Sequence, residues 1–230
     1  MADQKENKRF VLGEGRVINS SLFEKDTYTG PDGKEGKPSY KIEMAYPKGD
    51  GGPIDDLLAR MQAFVDEHFP GSSNEDPAGI LDIDGGKVIS SVLDGDVLAA
   101  NKEKLGKKGD AYKGHWVIRS NTMYNKDGND APGGIEVWDE EVQPVTPLDQ
   151  TKVYNGCYGH VAVTIGSYEL TNNVTKEKLN ALKLYLNAFQ KTKDGERLAS
   201  QASTSSLFKP VGRPAAAEGA ATGRRGARKG

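Results

Sequence analysis

The chain has 230 residues, of which 28% are charged and 36% hydrophobic, with a mean hydropathy of -0.64 and a formal net charge of -2. A single cysteine rules out an internal disulfide framework and points to a reducing compartment. No apolar run approaches the roughly 18 residues that span a bilayer.

Charge is unevenly spread. Lys209, Arg213, Arg224, Arg225, Arg228 and Lys229 against Glu218 give residues 205–230 a charge of +5 and leave -7 on residues 1–204. An acidic body confines any anion-binding site there to a local patch. Twenty-eight glycines favour a loop-rich β architecture over a helical bundle. The polar start MADQKENKR lacks the apolar segment of a signal peptide. The expected location is therefore the cytoplasm, with residues 1–9 disordered.

In chain order, FVLGEGRVINSSLF at 10–23 reads as extended, with Arg16 and Ile18 alternating against Val17. DTYTGPDGKEGKPS is a turn-rich loop. In YKIEMAY, Tyr40, Ile42, Met44 and Tyr46 fall on one face of a strand, with Lys41 and Glu43 on the other and Pro47 ending it. DGGPIDDLLARMQAFVDEHF predicts a helix, because Pro53 suits the first turn and Asp55 and Asp56 suit the positive end of the dipole. Its stripe of Ile54, Leu57, Leu58, Met61, Phe64, Val65 and His68 would pack on a sheet. Residues 70–110 read mostly as loop, with GSSNEDPAG, DIDGG and LDGD as turns around the apolar VISSVL.

Two further strands are expected at about 112–121 and 153–168, separated by a loop holding NKDGNDAPGG and QPVTPLD. Alternation in the first puts Lys113, His115 and Arg119 on one face and Tyr112, Trp116 and Ile118 on the other. In the second, Val153, Cys157, Val161, Val163 and Ile165 form a core face, and Tyr154, Tyr158, His160, Thr164 and Tyr168 face away. LNALKLYLNAFQK fits a helix through Leu179, Leu182, Leu186 and Phe189, and a strand through Leu182, Leu184, Leu186 and Ala188. Periodicity does not decide between them. Residues 201–230 are Ser, Ala, Gly, Pro and Arg with almost no large apolar residues, a composition that predicts a disordered basic tail.

Catalytic constellations are scarce. Asp82, Asp84, Asp94 and Asp96 could assemble a divalent metal site, as in a nuclease or phosphoesterase, yet Asp-Gly pairs also make ordinary turns. His68, His115 and His160 have no zinc spacing with the one cysteine. Cys157 and His160, three apart on a strand, point to opposite faces and make no nucleophile pair. GEGRVI at 13–18 lacks the third glycine of a dinucleotide fingerprint. Binding fits better. Single-stranded nucleic acid needs cations along its backbone and aromatic faces for its bases; the tyrosine face of the second strand supplies both if the cationic face of the first lines up with it, and is otherwise an ordinary exposed sheet face. Trp116 reads as a core residue.

YKGHWVIRSN, TKVYNGCYGHVAVTIGSYE and LNAFQKTKDGERL, in that order and spacing, resemble a single-stranded-DNA-binding protein family of tailed bacteriophages. RVINSSLFEK with YKIEMAYPKGD resembles the opening strand pair of that family, and LDGD its short Asp-Gly-Asp turn. The likeness covers about residues 10–200, and VYNGCY with DGERL is its most specific element. It implies one mainly β domain over 10–200, an OB-fold-like barrel with long loops and one flanking α-helix, and a strand where LKLYLNAFQK stands. It implies a non-catalytic protein without cofactor that coats single-stranded DNA during phage replication, recombination or repair in the host cytoplasm, with replication or recombination proteins as further partners. Several such binders end in an acidic tail that recruits partners, whereas this one ends in GRRGARKG.

The expected contacts are Tyr154, Tyr158 and His160 for bases and Arg119, Lys113 and His115 for phosphates. Trp116, Tyr112, Arg16, Lys41 and Tyr168 are further contacts, and Arg224, Arg225, Arg228 and Lys229 add phosphate contacts from the tail. RNA would suit the same surface, since neither stacking nor phosphate pairing reads the 2′-hydroxyl. The alternatives are the metal-dependent enzyme at Asp82–Asp96 and a virion structural or scaffold protein whose sheet binds protein.

Overall fold

The computed structural model describes residues 9–27, 33, 35–49, 51–68, 88–122, 135–171 and 178–198, without side chains at 88, 89, 170, 171, 178 and 179. All belong to one compact unit, Met1–Leu198. Asp82, Asp84 and the tail residues Arg224, Arg225, Arg228 and Lys229 lie outside the described residues.

The strands are β1 (Arg9–Val11), β2 (Gly15–Asp26), β3 (Ser39–Pro47), β4 (Val88–Ile89), β5 (Val92–Asp94), β6 (His115–Asn121), β7 (Glu136–Trp138), β8 (Tyr158–Thr171) and β9 (Lys178–Lys193). The helices are α1 (Pro53–His68) and α2 (Gly95–Lys104), with a 3-10 helix at Pro147–Lys152. Five strands close on themselves in the circuit β2-β3-β6-β9-β8, with β6 and β9 parallel and the other four pairings antiparallel. That connectivity is OB-like, a partly open five-stranded barrel. Two of its seams are short. β2 meets β8 only at Gly15↔Gly159 and Arg16↔Tyr158, and β6 meets β9 only at Ser120↔Leu184 and Asn121↔Tyr185.

Strand alternation fills the barrel. Val17, Ile42, Met44, Tyr46, Ile118, Val161, Val163, Leu184 and Phe189 are nearly or fully buried in one cluster. Two glycines at the β2–β8 seam make room for its largest members. A Cβ on Gly15 would lie 2.6 Å from the Tyr46 ring, and one on Gly159 2.4 Å from the Phe189 ring. Helix α1 covers the barrel as its stripe predicts, burying Ile54, Leu57, Met61 and Val65 in the same cluster.

Of the strand expected at 153–168, only the part from Tyr158 is strand, where the expected parity holds; Val153, Tyr154 and Cys157 lie in the turn before it. LKLYLNAFQK is a strand, as the resemblance implies. Three further expectations are corrected. Residues 92–104 are β5 and α2 rather than loop, so the fold has a second helix. Asp94 of LDGD is the helix N-cap, its side chain accepting the Asp96 N–H at 2.8 Å. The strand at 112–121 starts only at His115, because Tyr112 and Lys113 sit in the turn before it. Tyr112 therefore does not share the Trp116–Ile118 face; it packs outside the barrel with Ile18, Ala45, Leu93, Ala99 and Val117.

Gly159→Ala is expected to destabilise the protein by about 1–3 kcal/mol, since its methyl group overpacks the seam. A urea denaturation midpoint matching wild type would contradict this account of closure.

Candidate nucleic-acid interface

Side chains opposite the barrel core are placed by register. One row runs Ser21, Lys41, Asn121, Tyr185, Thr164 across β2, β3, β6, β9 and β8. The adjacent row holds Asn19, Glu43 and Arg119, with Lys183 opposite Gly166 one step along β9 and β8. Lys41, Arg119, Lys183 and Tyr185 thus share one outer face, and Tyr168 lies two residues beyond Gly166 on the same side. Gly166 has a purpose here: a Cβ would meet the Tyr185 ring at 2.4 Å, so the ring lies across bare backbone.

Cations on this face have defined partners. Arg119 donates Nε–H to Glu43 Oε1 at 2.7 Å while 55% of its side chain stays exposed. Lys41 pairs with Asp26. The Lys183 ammonium lies 5.3 Å from the Tyr185 ring centroid, and burial lowers its pKa. Tyr168 is 43% exposed, and its phenol is held above the usual range by burial and by the neighbouring Tyr185.

A second cluster stands at the other end of β8. Tyr158 is the register partner of both Arg16 and Lys193, and the Lys193 ammonium sits 4.6 Å from its ring centroid. The Arg197 guanidinium lies 3.8 Å from the Tyr154 ring, whose hydroxyl donates to Asp194 Oδ1 at 2.9 Å. Arg16 donates to the Glu196 carbonyl. VYNGCY and DGERL meet here: Leu198 N–H donates to the Asn155 carbonyl at 2.8 Å, and Gly156, at φ 113, faces the Glu196 carbonyl where a Cβ would stand 2.0 Å away. Acids are interleaved, with Glu14 on Lys193 and both Glu140 and Asp194 on the buried Lys191.

The family model described as Enterobacter phage Enc34, ssDNA-binding protein, matches residues 8–219. The chain belongs to this family. The single-stranded DNA-binding protein of bacteriophage Enc34, solved in complex with ssDNA, is 20% identical with a TM-score of 0.55, covering 84% of this chain and 91% of its own. The gp2.5 single-stranded DNA-binding protein encoded by bacteriophage T7 is 12% identical with a TM-score of 0.52, covering 91% of this chain and 99% of its own. At these identities the solved structures establish the fold. No curated protein sequence matches the chain.

In this family member the residues singled out from sequence fall into separate places. Arg119, Lys41 and Tyr168 share the outer face with Lys183 and Tyr185, which sequence reasoning missed. Tyr154, Tyr158 and Arg16 join Lys193 and Arg197 at the far end. His160 lies on the outer side of β8, its Nδ1–H given to the Leu12 carbonyl at 3.0 Å. Lys113 is engaged by Glu103 and Asp110, and His115 donates Nδ1–H to the Lys113 carbonyl. Tyr112 is 5% exposed and donates its hydroxyl to Glu43 Oε2, so its ring is not a free platform. Trp116 packs against the core, as expected, with Lys48 4.7 Å from its ring.

The described half of the candidate metal site has a different partner. Lys48 Nζ donates to Asp94 Oδ1 and Asp96 Oδ2, both at 2.6 Å. Among the described residues no group of three or more His, Cys, Asp or Glu side chains could hold a metal ion. Burial pushes the Asp94 carboxyl up, but hydrogen bonds from Lys48 and from the Asp96 N–H outweigh it and hold the carboxyl below its usual range. This stabilisation is complete above the ordinary aspartate value of about 3.9 and is lost as pH falls through the lower folded-state value. Asp94→Ala is expected to cost about 1 kcal/mol through the missing cap and to flatten the acid limb of the stability profile, both measurable by urea titration at stepped pH.

Proposed function

We propose that this chain binds single-stranded DNA non-catalytically and with little sequence preference, through the outer face of β3, β6, β9 and β8. The carrying observation is the row that brings Lys41, Arg119 and Lys183 beside the rings of Tyr185 and Tyr168. Membership of a family named for ssDNA binding supports the same reading. So does the fold, because OB barrels bind oligonucleotides across the face that β3 and β6 supply here. Base rings stack on Tyr185 and Tyr168, while the three cations take phosphates. Coating of single strands in replication, recombination or repair in the host cytoplasm is the role such a surface serves.

Tyr154 and Tyr158 form a second place for bases, favoured by Arg16, Lys193 and Arg197 around them. Lys193 and Arg197 sit closer to these rings, at 4.6 and 3.8 Å, than Lys183 does to Tyr185 at 5.3 Å, which puts this end after the Tyr185 face. A fluorescence titration with labelled oligo-dT and a duplex control tests the reading. Tyr185→Ala should weaken binding by about 1–3 kcal/mol with the fold intact, and more than Tyr158→Ala; the reverse order would move the site to the other end of β8. Failure of the wild type to bind oligo-dT at low salt would favour a structural or scaffold role.

The basic stretch 205–230 adds phosphate contacts of its own in this proposal. Deleting it should lower the salt slope of oligo-dT binding by about 0.7 for each phosphate it neutralises. An unchanged slope and affinity would remove the tail from the interface.

A further inference from the structure

Glu43 is an acid in the middle of a face read as binding a polyanion. Its side chain is 11% exposed, and both carboxylate oxygens are used. Oε1 accepts the Arg119 Nε–H at 2.7 Å, and Oε2 accepts the Tyr112 hydroxyl at 3.0 Å. Tyr112 is itself fixed, buried against Ala99, Leu93 and Val117 with the Lys102 ammonium 4.6 Å from its ring. Burial and the Glu43 charge both push the Tyr112 phenol up, so it remains a donor to Glu43 at working pH.

The consequence falls on Arg119. A guanidinium held by Nε keeps its two Nη groups, and among the described residues no hydrogen bond uses them. With 55% of the side chain exposed, this leaves a planar pair of donor groups presented outward, the geometry that grips a phosphate bidentately. We propose that Glu43, braced by Tyr112, is a positioning residue that aims the Arg119 Nη edge at the phosphates of a bound single strand. This rests on the DNA-binding reading above. The acid touches no DNA; it removes the rotamer search that a free arginine on a strand would have to end on binding.

Charge and position make opposite predictions. If Glu43 acted only through its charge, any neutral replacement would tighten oligo-dT binding. As a positioning residue, Glu43→Ala and the volume-retaining Glu43→Met should weaken binding about 2- to 12-fold, the cost of immobilising one such side chain. The salt slope should stay at its wild-type value, because Arg119 keeps its charge. Glu43→Gln removes the same charge but can still accept from Arg119 Nε and donate to the Tyr112 oxygen, so it should restore near wild-type affinity. In an Arg119→Ala background, which itself lowers the salt slope by about 0.7, the Glu43 substitutions should have no further effect.

Thermal melts identify which variants are folded, and Glu43→Met stands in if Glu43→Ala is not. Neutral or tighter binding by Glu43→Met overturns the inference. So does a Glu43→Gln protein as weak as Glu43→Met, or an Arg119→Ala protein that binds like wild type. Wild-type protein that fails to bind oligo-dT overturns the DNA reading as well, and is thereby distinguishable from failure of the positioning role alone.

Discussion

Two glycines facing each other across one seam decide whether this sheet can close. Gly15 and Gly159 are register partners, and the rings of Tyr46 and Phe189 lie over them at distances no Cβ would permit. Those rings are 0% and 1% exposed, and burying each is worth about 1.5–3 kcal/mol. β2 and β8 share two register pairs, and the seam continues through the Val17 N–H to the Cys157 carbonyl at 2.8 Å and the Gly156 N–H to the Val17 carbonyl at 2.7 Å. Ring packing into bare backbone acts with those bonds to hold the ends together. Everything on the outer surface inherits its place from that closure.

Once the circuit is closed, register carries side chains from five strands into common rows. Lys41, Asn121 and Tyr185 are far apart in sequence yet adjacent in one row only because β6 and β9 pair in parallel at Ser120 and Asn121. The acidic balance of the body is compatible with an anion-binding face because the acids are spent locally. Glu43 lies beneath Arg119, Asp26 pairs with Lys41, and Asp94 and Asp96 share Lys48. At the far end of β8, Glu14 and Asp194 take Lys193 and Lys191 in the same way. Local pairing of this kind keeps these acids from standing as free negative charges on the outer face without making that face strongly positive.

Strands buried on one side were legible in sequence. The alternation along 158–168 separates Val161, Val163 and Ile165 from Tyr158, His160 and Tyr168, and YKIEMAY divides in the same way. Helix α1 was legible through its proline, its first-turn acids and its stripe. LDGD was misjudged because an Asp that caps a helix and an Asp that opens a turn use the same side-chain-to-backbone bond. Only the residues after Asp94 distinguish the two, and in α2 their apolar pattern is weak. Tyr112 was misplaced by extending the strand parity of 115–121 into a turn. Lys183 and Tyr185 escaped notice for a different reason. Their stretch fitted helix and strand alike, and only as a strand do they alternate against Leu182, Leu184 and Leu186. The Glu43–Arg119 bond, 76 residues apart, has no local signature at all.

What the outer face offers also bears on selectivity. Its rings, ammonium groups and guanidinium edge do not distinguish one base from another, whereas the amides of Asn19 and Asn121 in the same rows carry both donors and acceptors. The amide of Asn187 gives its N–H donors to Thr164 Oγ1 and the Tyr185 carbonyl. Those bonds fix the Asn187 side chain beside Thr164 and Tyr185 on the outer side of β8 and β9. On the proposed reading, a strip dominated by flat rings and point charges would favour any single strand over a particular one. On that same reading, preference against duplex would have a steric origin, because paired bases cannot present their faces to Tyr185 and Tyr168.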